Sequence, residues 1–346
     1  MHQLNNRTDR ILHCCRGFSL VELMVALVIT LILLAGIGQI FLSSKKSFTI
    51  QNTLGRQQEN GRYASETIAQ DLRRAGYFGG NADISEVAGS EGPATPAATC
   101  ATGDNTWGRM LDQRIFGLNH NQATEIGNYA CLNDGNGYDK GDVLVMRFAA
   151  PWVIGGTTTP VITNDDRLYI RSSLNDSFNG GTIFKGKDEA DLANDIDNNL
   201  GTPPSNTERV SELIARSYYI GPSGRTCQGV SIPSLYRETL NNNGEPEAEE
   251  IAYGIDQLQI QYGLDTDGDN SVDSWLNAGD AGLVNLSDWD QVIAARIWLL
   301  TRSECPETGY TNSNSYTMGD LINYQPNDAY RRQLYNLTVR LRNLNT

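Results

Sequence analysis

The chain has 346 residues, with 27 Lys and Arg against 41 Asp and Glu, three His and six Cys. A formal charge of -14 and a pI near 4.7 exclude the basic stripe that a phosphate-tracking nucleic-acid binder needs, and suit cations and basic partners better. His2 and His13 precede the first apolar run and leave His120 alone, so a multi-histidine metal centre is out and a hydrolytic triad would rest on one imidazole.

From Phe18 to Leu42 the chain reads FSLVELMVALVITLILLAGIGQIFL, in which Glu22 is the only charge. As a helix this stretch spans roughly 37 Å, enough to cross a bilayer core. A secretory signal ends its apolar region with a small-residue cleavage site, whereas here the small residue, Gly17, comes first and follows Arg16. Arg7, Arg10 and Arg16 before the span, against Lys45 and Lys46 after it, favour a cytoplasmic amino end. A carboxylate inside an apolar span costs a few kcal/mol and is kept where something pairs with it.

The string RGFSLVELMVALVI, with Gly17 before Phe18 and Glu22 five residues into the apolar run, resembles a type IV prepilin signal. That resemblance implies cutting after Gly17 by a membrane-embedded prepilin peptidase and methylation of the new amino terminus at Phe18. Residues 1–17 then form a cytoplasmic leader that is removed together with Cys14 and Cys15. It also implies that Glu22 meets the terminal ammonium of a neighbouring subunit and aligns incoming subunits during assembly.

Beyond Leu42 the helical pattern turns amphipathic, with Ala64, Ile68, Leu72 and Ala75 at three- and four-residue spacing. Gly76 and the pair Gly79 and Gly80 supply the stop, so the spacing predicts one helix over 18–75, longer than a compact domain requires. Gly55 and Gly61 weaken it and make a kink plausible there. Residues 76–142 are glycine-rich with few apolar runs and read as an irregular connection. A β-rich head is expected over 143–346, with strands in VLVMRF from Val143, RLYIRSS at 167–173, VSELIARSYYIG at 210–221 and QGVSIPSLYRETL at 228–240. In IDQLQIQY, Leu258, Ile260 and Tyr262 alternate with Gln257, Gln259 and Gln261, which predicts a half-buried strand. VIAARIWLL at 292–300 reads as a central strand, LYNLTVRL at 334–341 as the last one, and residues 174–207 as an excursion.

Taken in order, the helix exit NGRYASETIAQDLRRAGYFGG, the block IAYGIDQLQIQYGLDTDGDNSVDSW, the segment VIAARIWLLTRS and the terminal strand resemble the PilW family of minor pilins. They are similar, more distantly, to a minor pseudopilin of type II secretion. The implied fold is α+β and pilin-like, a long amino-terminal helix packed on an antiparallel β-sheet head.

Within DTDGDNSVD, Asp265, Asp267, Asp269 and Asp273 stand at positions 1, 3, 5 and 9, and alternate carboxylates on a tight turn converge as hard oxygen ligands for Ca²⁺. Ser271 can add its carbonyl, and Asn270 tolerates the left-handed conformation usually given to Gly. Leu276 replaces the twelfth-position Glu of an EF-hand, so the loop resembles the short calcium loops of thrombospondin-type repeats. An acidic hairpin turn around Asp267 and Gly268 explains the same residues without a metal.

Cys100, Cys131, Cys227 and Cys305 are an even set, as two disulfides in an exported domain would need, with three connectivities open. Cys100 with Cys131 would tie down the glycine-rich connection, and Cys227 with Cys305 would bridge sheet elements. Trp275, Trp289 and Trp298 are expected in core or interface. GGT at 155–157 lacks a following GK[ST], and no GxSxG occurs, so neither a phosphate cradle nor a hydrolase elbow is implied.

The expectation is a non-enzymatic minor pilin without organic cofactor, held in the inner membrane with a periplasmic head and later part of the pilus, near its tip at the cell surface. Its implied partners are prepilin peptidase, other minor pilins, the major pilin and a tip adhesin, with no nucleic acid. The alternatives are a minor pseudopilin of type II secretion and a membrane-anchored, calcium-dependent binding protein that keeps the bond between Gly17 and Phe18.

Overall fold

A computed structural model describes residues 17–81, 84–91, 105–129, 132, 137–150, 166–173, 181–188 and 208–343. The chain divides into two compact units between Thr53 and Leu54. Helix α1 (Leu20–Leu72) forms without interruption through Gly55 and Gly61. Leu72 is followed by a turn in which Gly76 takes φ +78° and donates its N–H to the Arg147 carbonyl. The helix therefore ends three residues before the predicted Ala75, because a left-handed glycine closes it. Gly61 has a packing reason: a Cβ there would lie 2.3 Å from the Tyr335 ring.

Up to Leu42 the helix is exposed apolar surface. From Leu54 its stripe is core: Ala64, Ile68, Leu72 and Ala75 are fully buried among residues of both large sheets.

The first sheet has seven antiparallel strands. Its main path runs β1 (Ile115–Leu118), β2 (Lys140–Ala149), β5 (Glu208–Cys227), β3 (Leu168–Ser173) and β4 (Thr182–Lys185). Strands β6 (Val230–Leu240) and β7 (Pro246–Tyr253) extend it from β5. At 20 residues, β5 is long enough to pair with β3 near its start and with both β2 and β6 further on.

The second sheet is antiparallel with order β13 (Arg332–Arg340), β10 (Val292–Arg302), β8 (Ile255–Leu264) and β9 (Ser274–Leu276). The VIAARIWLL segment sits between two neighbours, as a strand apolar on both faces should. Hairpin β11 (Tyr316–Met318) and β12 (Leu321–Tyr324) is a separate two-stranded sheet. It covers Leu300 and Trp298 on the outer face of β10.

Two expectations are corrected. The described part of 76–142 contributes helices α2 (Thr106–Arg109) and α3 (Ala123–Asn128), strand β1 and the start of β2, with Trp107, Leu111 and Ile115 buried. What organises it is distant in sequence: Arg147, itself buried, donates Nε to the Trp107 carbonyl and Nη1 to the Gln113 carbonyl, each at 2.7 Å. Burial without a carboxylate partner pulls that guanidinium down to about 10.

The other correction concerns β8. Its alternation predicts the glutamine face in solvent, yet Gln259 is only 1% exposed, because the turn between β11 and β12 lies close to it: a Cβ at Gly319 would come 3.8 Å from the Gln259 Cβ.

Candidate functional site

Gly17 and Phe18 precede the first turn of α1, and Glu22 sits in that turn. The partial positive charge of the helix amino terminus favours a carboxylate here. Phe18, Leu20, Val21, Leu23 and Met24 are all more than half exposed, and the helix is long and apolar enough to cross a membrane with none of its most apolar window buried. Such a surface is stable only in lipid or against other apolar helices. No ion pair to Glu22 is made among the described residues.

The aspartate loop joins β8 to β9. Asp265, Asp267 and Asp269 bring one carboxylate oxygen each within 4.8 Å of one another. Local sequence explains the turn. Asp265 accepts the N–H groups of Gly268 at 2.7 Å and Asn270 at 2.9 Å, Asp267 accepts that of Asp269, and Asp269 accepts that of Ser271. Gly268 and Asn270 both adopt positive φ, +79° and +65°, which these residue types permit.

Asp273 is not one of the three: it accepts both the N–H and the hydroxyl of Thr266, at 2.7 and 2.6 Å, and these bonds hold its pKa below the ordinary carboxylate value. Ser271 enters through its N–H, and Arg340 closes the loop on the Asn270 carbonyl. Three carboxylate oxygens thus come together in a way that suits a divalent cation, while the fourth predicted carboxylate is engaged by Thr266.

Cys227 at the end of β5 and Cys305 beyond β10 form a disulfide, with Cα atoms 5.4 Å apart across 78 residues. Cys100 and Cys131 lie outside the described residues, as do residues 1–16 of the leader. Trp289 is core, packed on Phe116 and Tyr262, whereas Trp275 and Trp298 flank the Arg296 guanidinium on the outer face of the second sheet.

Three polar constellations escaped the sequence reading. Asp71 on α1 accepts from Arg216 and Tyr218. Asp256, fully buried, takes Lys140 and Arg332, each at 2.7 Å. His120 lies near Asp142 and Asp320. Only Asp71 left a local signal, a charge three residues after Ile68 on the apolar stripe. The others join residues more than 75 positions apart, except for the 22 positions between His120 and Asp142.

Comparison with known proteins adds two family matches. Residues 217–343 match the Type IV Pilus-assembly protein W family, and residues 12–38 match the prokaryotic N-terminal methylation motif. No curated protein matches the chain. Among solved structures, a type IV-like pilin from Thermus thermophilus aligns at 15% identity over 60% of this chain and 81% of that chain, with a TM-score of 0.28.

Proposed function

We propose a minor-pilin role on the premise that the chain belongs to the PilW family of type IV pilus-assembly proteins and opens with a prepilin-type methylation motif. The observation that carries the reading is Gly17, Phe18 and Glu22 at the mouth of a helix whose apolar side chains are exposed through Leu42. The precursor is anchored in the inner membrane with its amino end cytoplasmic, is cut after Gly17 and is methylated on Phe18. Glu22 then pairs with the amino-terminal ammonium of a neighbouring subunit. In lipid or among apolar helices that pair is retained because either charge alone would be costly.

The head joins other minor pilins in a complex that primes assembly and stays near the fibre tip, where an adhesin can be carried. The role is structural rather than enzymatic. The turn of Asp265, Asp267 and Asp269 holds a divalent cation of the calcium class, which would neutralise carboxylates close to one another.

Mass analysis of the membrane-extracted protein, with and without prepilin peptidase, tests the reading. A mature chain beginning at methylated Phe18 is expected. An uncut chain that retains the leader would reduce α1 to an ordinary anchor and shift the reading to a calcium-dependent binding protein. The Glu22→Ala variant is expected to be processed normally yet to leave cells nearly without pili. Unchanged pilus number would remove the role given to that carboxylate.

A further inference from the structure

The loop from Asn119 to Gln122, between β1 and α3, meets the turn at Gly319 and Asp320, which connects β11 to β12. Asn119 shapes its own loop by accepting the Asn121 N–H at 3.1 Å and donating its N–H to Gln122 Oε1 at 2.9 Å. It reaches the hairpin by donating Nδ2 to Asp320 Oδ2 at 2.8 Å. His120 follows, its Nδ1 placed 3.5 Å from Asp142 Oδ1 and 3.7 Å from Asp320 Oδ1. Asp142 on β2 has a 5% exposed side chain and is fixed in place: Oδ1 accepts the His120 N–H at 2.9 Å and Oδ2 the Ile260 N–H of β8 at 2.7 Å. His120 Nδ1 and Asp320 Oδ1 are both buried atoms with no full hydrogen bond to the protein.

We propose that His120, Asp142 and Asp320 form a protonation-dependent clasp that holds the turn between β11 and β12 against the first sheet, closed when the imidazole is charged and loosened when it is neutral.

The chemistry follows from counting donors. A neutral imidazole that carries its proton on Nε2 turns the Nδ1 lone pair toward two carboxylates, of which Asp320 Oδ1 has no donor. The tautomer with the proton on Nδ1 still leaves two anions facing one neutral ring. The imidazolium supplies both a donor and a positive charge between the two anions.

The remaining titratable groups around the site do not replace it. Tyr262 of β8 and Tyr138 before β2, both near Asp142, are pushed upward chiefly by burial and stay neutral. Asp139 adds negative charge beside Tyr138. Asp280, on the loop after β9, is engaged by the N–H and amide of Asn277. The nearby Asp142 carboxylate is the largest influence on His120 and raises it above the ordinary value of 6.5 against the opposing effect of burial.

The hairpin is small enough for such a clasp to matter to it. Its strands are three and four residues long, and an isolated two-stranded hairpin is marginal in water. Its apolar support is Met318 and Tyr316 against Leu300, with Trp298, Leu321, Tyr324 and Leu334 packed around them, and the Asn119 amide holds its turn by one hydrogen bond to Asp320. A raised imidazole value contributes stability that is complete below the unfolded value of about 6.5 and is lost as pH rises through the folded value. The clasp is therefore closed in mildly acidic medium and opens toward alkaline pH.

Hydrogen exchange of the peptide covering Tyr316–Tyr324, measured on the full-length detergent-solubilised protein across about pH 5.5 to 8.5 and corrected for intrinsic rates, tests the proposal. Protection is expected to fall severalfold through the His120 transition in the wild type and to be pH-independent in His120→Gln. The same pH course in both proteins would overturn it. Should the variant not fold, NMR titration of the wild-type His120 ring decides. A midpoint above 6.5 that drops in Asp320→Asn supports the clasp, and a midpoint at or below 6.5 rejects it.

Discussion

Asp71 shares the helix face of Ile68 and Leu72, and its side chain is only 3% exposed. A carboxylate there is tolerable only with full pairing. Both its oxygens lie 2.6 Å from Arg216 Nη1, and Tyr218 donates to Oδ2 at 2.5 Å. Burial first, and the Asp71 charge next, push the Tyr218 phenol well above its ordinary value, so it remains a donor. Truncation to Asp71→Ala leaves a largely buried guanidinium uncompensated and is expected to destabilise the head by about 3–5 kcal/mol in denaturant unfolding. Asp71→Asn keeps an acceptor and should cost less. Equal stability of Asp71→Ala and wild type would show that the pair contributes nothing net. Asp71 was visible in the sequence as a charge on an apolar stripe. Its partners were not, because the 145 residues between Asp71 and Arg216 carry no periodic signal that links them.

The turn from Asp265 to Asp273 illustrates how far an element can be read. The alternate spacing of carboxylates is a local property, and three of them do converge. Asp273 departs because Thr266 offers two donors to it within the same turn. If the three converging carboxylates hold calcium, the ion stabilises the head by about 2.7 kcal/mol at a hundredfold excess over Kd. The melting temperature should then rise with calcium, return with chelator, and lose that response in Asp267→Ala. Identical melting curves in all three conditions would mean the turn is held by its own hydrogen bonds. The β8 strand shows the opposite balance: its alternation was legible, but burial of its glutamine face comes from the β11–β12 hairpin more than 50 residues later, which no local window contains.

On the scale of the whole molecule, an excess of acid over base makes the response to pH a sum over carboxylates of opposite sign. Burial alone would raise Asp256, yet Lys140 and Arg332 outweigh it and hold it below the ordinary value. Asp328 is likewise lowered, burial being overcome by its bonds to Arg332 and the Tyr330 N–H. Carboxylates lowered in this way contribute stability above their unfolded value of about 3.9, and it is lost as pH falls through the folded values. Asp142 and Asp290 are raised, chiefly by burial, so their ionised forms oppose folding and that cost is relieved on acidification. Denaturant midpoints are thus expected to hold or rise slightly from neutral to mildly acidic pH and to drop below about pH 4. In Asp256→Asn the drop below pH 4 should be shallower, and an unchanged acid limb would assign it to other groups.

The sequence by itself determined the prepilin-like junction at Gly17 and Phe18, the charge at Glu22, the apolar run, the helix to within three residues, most of the strands and the α+β class, because each is written in contiguous residues or a short period. Tertiary structure alone decided the division into sheets of seven, four and two strands, the ordering of the segment from Asn105 to Leu118 by Arg147, and the meeting of His120 with Asp142 and Asp320. Those features depend on pairing between residues far apart in the chain, and long-range pairing is set by which apolar faces must be buried together rather than by any one segment's composition.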